Sequence, residues 1–307
     1  NWRVGDGKGV PVAGDYNGDG VLDLATFTPG NGFTNSDSIG QWQIYYSMPY
    51  SLRDTYLNPT QGYVTYQLGT NTALPVPADY DGDGITDIAV YDPSNTQWQI
   101  IFSSGGNDIA KALGGYKESG ALILFGENNA LPVKGDVDGD GADDIILYTE
   151  ATEVKGSSEW NVLFSSAKFE IANKNKKFQF GSKGEVPFTA DFDGDGKNEL
   201  VVFNPQSCGF KVRFNAENVQ EVSWPSCLNV SFGYSEDLDG DGRADFILSS
   251  KDKIDNESTW RIYTSNFKAD AYDKFPSGWN IMTTIKWGGR DIKSVQELLY
   301  LFYKKKL

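Results

Sequence analysis

Five times along this chain of 307 residues an Asp-x-Asp-Gly-Asp-Gly-x-x-Asp string recurs with small variations, beginning at Asp15, Asp79, Asp136, Asp191 and Asp237. The second copy reads Asp79-Tyr80-Asp81-Gly82-Asp83-Gly84-Ile85-Thr86-Asp87. Acidic side chains on alternate residues, broken by glycines, cannot pack as an ordinary strand or helix. They repel one another unless a hard cation lies between them. Oxygen-only donors suit Ca²⁺, which takes roughly six to eight of them in a flexible shell. Glycine supplies the positive φ needed to wrap a backbone around an ion.

The expected ligands are the side chains at motif positions 1, 3, 5 and 9 and the carbonyl at position 7. In the first loop these are Asp15, Asn17, Asp19, Val21 and Asp23, and in the second Asp79, Asp81, Asp83, Ile85 and Asp87. The third offers Asp136, Asp138, Asp140, Ala142 and Asp144, and the fourth Asp191, Asp193, Asp195, Lys197 and Glu199. The fifth offers Asp237, Asp239, Asp241, Arg243 and Asp245. About five Ca²⁺ ions are therefore expected. An EF-hand loop begins the same way but requires a bidentate acid at position 12 and flanking helices. Position 12 here is Thr26, Val90, Leu147, Val202 and Leu248, all in strand-like runs, so the EF-hand is excluded.

The repetition extends beyond the acidic loop. Leu74-Pro75-Val76, Leu131-Pro132-Val133 and Val186-Pro187-Phe188 lead into the second, third and fourth copies. After each loop comes a β-rich run: Leu24–Phe27, Ile88–Tyr91, Ile145–Tyr148, Leu200–Phe203 and Phe246–Leu248. An aromatic strand follows, led by Trp42, Trp98, Trp160, Phe210 or Trp260. A last strand closes the unit, as in Tyr63–Leu68, Ala121–Phe125, Lys177–Phe180 and Ile281–Trp287. Motif starts are 64, 57, 55 and 46 residues apart, near the spacing of propeller blades. A four-stranded sheet cannot bury both faces alone, so neighbouring units must stack. The expectation is an all-β propeller over residues 1–289, most simply of five four-stranded blades, each with a calcium loop between its first two strands. The recurrent Trp is read as core between blades. Trp2–Gly5 resembles the end of a fourth strand, a place that Ile281–Gly288 also fills, so the closure of the ring stays open.

Residues 290–307 change pattern. Ile292, Val295, Leu298, Leu299 and Phe302 follow helical spacing, Ser294 and Glu297 form a capping box, and Lys304–Lys306 suit a carboxyl terminus. A short C-terminal helix is expected there.

On these residues the chain resembles the FG-GAP or VCBS-type repeats of integrin α-chain propellers and of many secreted bacterial proteins. The Phe-Gly pair is literal at Phe125-Gly126, Phe180-Gly181 and Phe232-Gly233. The resemblance implies an extracellular or periplasmic, calcium-binding adhesion or recognition fold.

The net charge of −15 argues against nucleic acid or an anionic membrane as partner. Much of that acidity is local, because motif positions hold 19 of the 42 acidic residues. Cys208 and Cys227 flank two strand-like runs, Phe210–Phe214 and Val219–Trp224. That spacing favours a disulfide across one hairpin over two buried thiols, and a disulfide fits an oxidising compartment. No signal peptide is visible, and a start at Asn1 fits a mature or trimmed form.

There is no histidine, which removes histidine triads and imidazole bases. Five equivalent loops suit a scaffold better than one active site, so function is sought where the repeat symmetry breaks. The segment Tyr45–Tyr66 is rich in tyrosine, and Tyr46, Tyr50, Arg53 and Tyr56 are the candidate ligand contacts. A fold-back of the segment onto its own aromatics is the competing reading. A second break is the lysine-rich stretch Lys168–Lys183, either a solvated turn or a site for acidic glycans. The function expected is a calcium-stabilised recognition module for an extracellular protein or glycan, without catalytic residues. The alternative is a lectin-like or catalytic propeller of a polysaccharide-active enzyme, such as a lyase, because paired carboxylates meet only in the fold.

Overall fold

The computed structural model describes residues 9–30, 39–46, 64–103, 120–171, 175–207, 209–214, 219–223, 230–236, 242–251, 258–265 and 279–287. All regular structure among them is β. The first sheet contains β1 (Val10–Pro11), β2 (Leu24–Thr28), β3 (Gln41–Tyr45) and β4 (Val64–Gln67). The second contains β5 (Leu74–Pro75), β6 (Ile88–Asp92), β7 (Gln97–Ile101) and β8 (Gly120–Leu124). The third contains β9 (Leu131–Val133), β10 (Ile145–Thr149), β11 (Glu159–Leu163) and β12 (Lys176–Gln179). These three lie in one compact unit, residues 1–183.

The unit 184–307 holds two further sheets. One contains β13 (Val186–Ala190), β14 (Glu199–Asn204), β15 (Gly209–Arg213) and β16 (Val219–Ser223). The other contains β17 (Val230–Glu236), β18 (Asp245–Lys251), β19 (Ser258–Ser265) and β20 (Trp279–Trp287). Every sheet is a four-stranded antiparallel meander in sequence order, the form of a propeller blade. Four of the five carry a fully described acidic loop between their first and second strands.

The stacking of sheets follows from the second strand. Ile88–Asp92 is buried at every position, so β6 cannot have a solvent face. Ile88 and Val90 join a core with Phe27, Trp42 and Ile44 of the first sheet. Ala89 and Tyr91 point the other way, into a core with Trp98, Ile145 and Leu147 that reaches the third sheet. One strand with period-two alternation thus feeds two cores, which is why its sequence reads as a continuous apolar run. Trp42, Trp98, Trp160 and Phe210 are fully buried, as expected of core aromatics. The indole N–H of Trp98 donates to the Phe125 carbonyl and that of Trp160 to the Phe180 carbonyl. The aromatic strand is thereby tied to the Phe-Gly corner of its own sheet.

Several expectations lie outside the described residues: the amino-terminal strand at Trp2–Gly5, Tyr50, Arg53 and Tyr56, both cysteines, and the helix over 290–307. The hairpin expected between the cysteines is present as β15 and β16, with Gly209 opposite Ser223. Of the lysine-rich stretch, Lys177 bridges Glu127 and Glu159, and Lys176 lies over the Phe164 ring.

Candidate metal centres

The acidic loops fold by bonding to themselves. In the second, Asp79 Oδ1 accepts from the backbone N–H of Gly82 at 2.8 Å and of Asp83 at 3.2 Å, while Oδ2 accepts from Gly84 at 2.8 Å. Asp15, Asp136 and Asp191 each hold the glycines at positions 4 and 6 in the same way. In these four loops those glycines have φ between 73° and 91°, a region open to glycine and costly for other residues. The position 7 N–H donates to the position 5 carboxylate in all four. Position 2 points the opposite way, into the core: Tyr80 and Phe192 are fully buried, and the Tyr80 hydroxyl donates to the Val76 carbonyl.

Position 9 is the buried one. Asp23, Asp87 and Asp144 have no exposure, and each accepts from the N–H of position 2. Glu199 keeps that bond to Phe192 at 2.8 Å, so the longer side chain is accommodated. Burial raises these carboxyls, aided by neighbouring motif acids: Asp87 to about 8, Asp144 to about 7 and Glu199 to about 9. Carboxylate oxygens of Asp79, Asp81 and Asp87 lie within 4.8 Å of one another, and so do those of Asp136, Asp138 and Asp144 and of Asp191, Asp193 and Glu199. Asp138 Oδ1 is buried without a hydrogen-bond partner. An orphaned carboxylate oxygen beside two other acids fits a hard divalent cation.

In the first loop Asn17 stands at position 3, where its amide donates to Asp19 and its carbonyl accepts from the Asp19 N–H. Asp237, Asp239 and Asp241 of the fifth loop lie outside the described residues, while Asp245 is fully buried.

Two features escaped the sequence reading. The first is a serine behind the loop. Ser103 N–H donates to Asp87 Oδ1 at 2.8 Å and its hydroxyl to Asp83 at 2.9 Å. Ser165 does the same in the third sheet, and Ser166 reaches Asp138. The signal was available: serine stands five residues after Trp42, Trp98, Trp160 and Trp260, with Asn215 in the fourth repeat. The second feature is contact between successive loops. The position 8 N–H of one loop donates to the position 1 carbonyl of the loop before: Thr86 to Asp15, Asp143 to Asp79 and Ala244 to Asp191. The Asp143 carboxylate returns a bond to the Asp79 N–H at 2.9 Å. Burial raises this carboxyl to about 6, against the nearby Lys134.

The family model for the FG-GAP repeat matches residues 10–41 and 184–209. Two stretches of this chain are FG-GAP repeats. Each matched stretch runs from a sheet's first strand through the acidic loop to the start of its third strand, so the repeat begins with the strand that leads into the loop. No curated protein matches the chain. FG-GAP repeats build propeller blades, as the four-stranded sheets here do.

The buried acids set a pH dependence for the acidic loops without metal. Their folded pKa values lie above the unfolded value of about 4, so between those limits the folded state holds protons that the unfolded state has released. Stability of the metal-free protein should therefore fall as pH rises from about 5 to about 9. Melting temperatures in EDTA at several pH values check this. A flat or rising series contradicts it.

Proposed function

We propose that this chain is a calcium-stabilised recognition module of the extracellular or periplasmic space, with each acidic loop holding one Ca²⁺. The observation that carries the metal reading is the convergence of three acidic side chains in each of three loops, with Asp138 Oδ1 left unpaired. The ligands are those expected from the motif, positions 1, 3, 5 and 9 with the position 7 carbonyl, in all five loops including the fifth. Bound calcium would neutralise the carboxylates. The protein's own part is to hold them together through the position 1 turn and the serine behind. Five four-stranded blades, each with one acidic loop, are part of the same proposal.

The ions are buttresses in this reading, and recognition belongs to surfaces where the repeats differ. The connections between second and third strands are 29–40 in the first sheet, 93–96 in the second and 150–158 in the third, whereas the acidic loops never change length. Variable connections on a rigid scaffold are the usual seat of specificity. At the sheet end opposite the acidic loops, Thr72, Leu74, Pro93, Ser94, Asn129 and Leu131 line an open groove of about 320 Å³. The neighbouring Asp92 accepts bonds from Thr70, Thr72 and Ser94, which hold its carboxyl below the usual range and so keep it charged despite its burial. A protein or glycan partner is expected.

Tyr46, just beyond β3 at the loop end of the first sheet, offers a second contact, and Tyr50, Arg53 and Tyr56 are the further candidates. Tyr46 is 42% exposed. Burial, the hydrogen-bonded Tyr66 and Asp23 push its phenol up to about 12. Replacing Tyr50 and Tyr56 with Ser should weaken partner binding with little change in melting temperature, whereas Asp81→Ala should lower stability first. Unfolding by the tyrosine changes, with binding intact, would show that the segment is core. A glycan array separates lectin from protein adhesin, and unsaturated product from polyuronides would establish the lyase alternative.

A further inference from the structure

Ser165 sits just beyond β11 and is 3% exposed. Its Oγ lies 3.0 Å from Asp140 Oδ1, 3.2 Å from the Ala142 carbonyl and 3.1 Å from Asp144 Oδ1. Those oxygens belong to motif positions 5, 7 and 9. A hydroxyl has one proton and satisfies one acceptor, so at least two of the three face its lone pairs. Three hard oxygens drawn together around a buried hydroxyl are, with it, the kind of donors a hard cation takes. The Ser165 N–H, bonded to Asp144 Oδ1 at 2.9 Å, fixes the hydroxyl there.

The count of donors points the same way. The motif provides five protein groups, whereas Ca²⁺ takes roughly six to eight. We propose that Ser165 Oγ is a further ligand of the ion in the third loop, which makes that loop tighter than the second. The inference rests on the reading of these loops as calcium sites. Ser103 occupies the same place in the second sheet, but its Oγ contacts one ligand oxygen, that of Asp83 at 2.9 Å. It braces the carboxylate from outside the shell. Ser165 belongs to the shell itself.

The deciding experiment is a crystal structure of the whole chain grown with Ca²⁺, joined to calorimetric titration of the Ser165→Ala and Ser103→Ala variants. Ser165 Oγ is expected about 2.3–2.6 Å from the ion. Ser165→Ala should weaken one site about tenfold, and Ser103→Ala should weaken its site by less than about threefold. An ion in the third loop with Ser165 Oγ beyond about 3.5 Å and water in its place overturns this inference and leaves the calcium reading standing. Unchanged affinity in Ser165→Ala does the same. Loops without ions in such crystals overturn both. If Ser165→Ala does not fold, the distance in the unaltered protein still decides.

Discussion

Stripping calcium with excess EDTA is expected to lower the melting temperature by on the order of 10 °C or more, and added Ca²⁺ to restore it. An ion that binds only the folded loop contributes RT ln(1 + [Ca]/Kd), about 2.7 kcal/mol per site at a hundredfold excess over Kd. Each kcal/mol moves the midpoint of a chain this size by roughly 2–4 °C. Several sites together therefore dominate the stability of the fold. The metal-free loop also keeps carboxyls such as Asp87 and Glu199 buried without a cation. Differential scanning calorimetry before and after chelation measures the effect. A melting curve unmoved by complete metal removal would refute a structural role for the ions.

The second large effect is expected at the Phe-Gly corner. Gly126 has φ +136°, and a Cβ there would stand 2.5 Å from the Tyr91 hydroxyl and 2.6 Å from Leu147 Cδ1. Tyr91 cannot yield freely, because its hydroxyl donates to the Glu127 carbonyl and its ring packs on Trp98. Gly126→Val should cost about 3 kcal/mol or more, from overpacking and backbone strain together. Gly184 is the control: its φ is +83° but nothing lies within 4 Å of a Cβ. Gly184→Ala should cost about 1–2 kcal/mol, the strain alone. Denaturant unfolding compares the two. Equal costs would mean that the corner is looser than its contacts imply.

The blades were legible in the sequence because their signals are local. Each acidic loop separates two apolar runs, and an aromatic-led strand follows the second run at a variable distance, so β2, β3, β6 and β7 fall where the runs predict. The acids were legible for the same reason: a nine-residue loop that binds through alternate positions writes its chemistry in its spacing. The serines were not read. Ser165 meets Asp144 across 21 residues, and that distance is closed by a β-hairpin whose register spacing alone does not give. Loop-to-loop bonds were further out of reach. Thr86 and Asp15 belong to different repeats, and periodicity tells which positions are equivalent, never which ones touch.

Those loop-to-loop bonds fasten the stacked sheets of residues 1–183 to one another backbone to backbone. Thr86 to Asp15 and Asp143 to Asp79 join one sheet's backbone to the next at the acidic end. Further along, the sheets meet through packed side chains such as Phe27 and Val90, and through the bond from the Tyr91 hydroxyl to the Glu127 carbonyl. Neighbouring sheets are therefore fastened both at the acidic rim and toward the far end, where Leu74 and Leu131 border the groove. On the proposed reading, calcium held in those loops would steady the sheets that frame the groove without touching it.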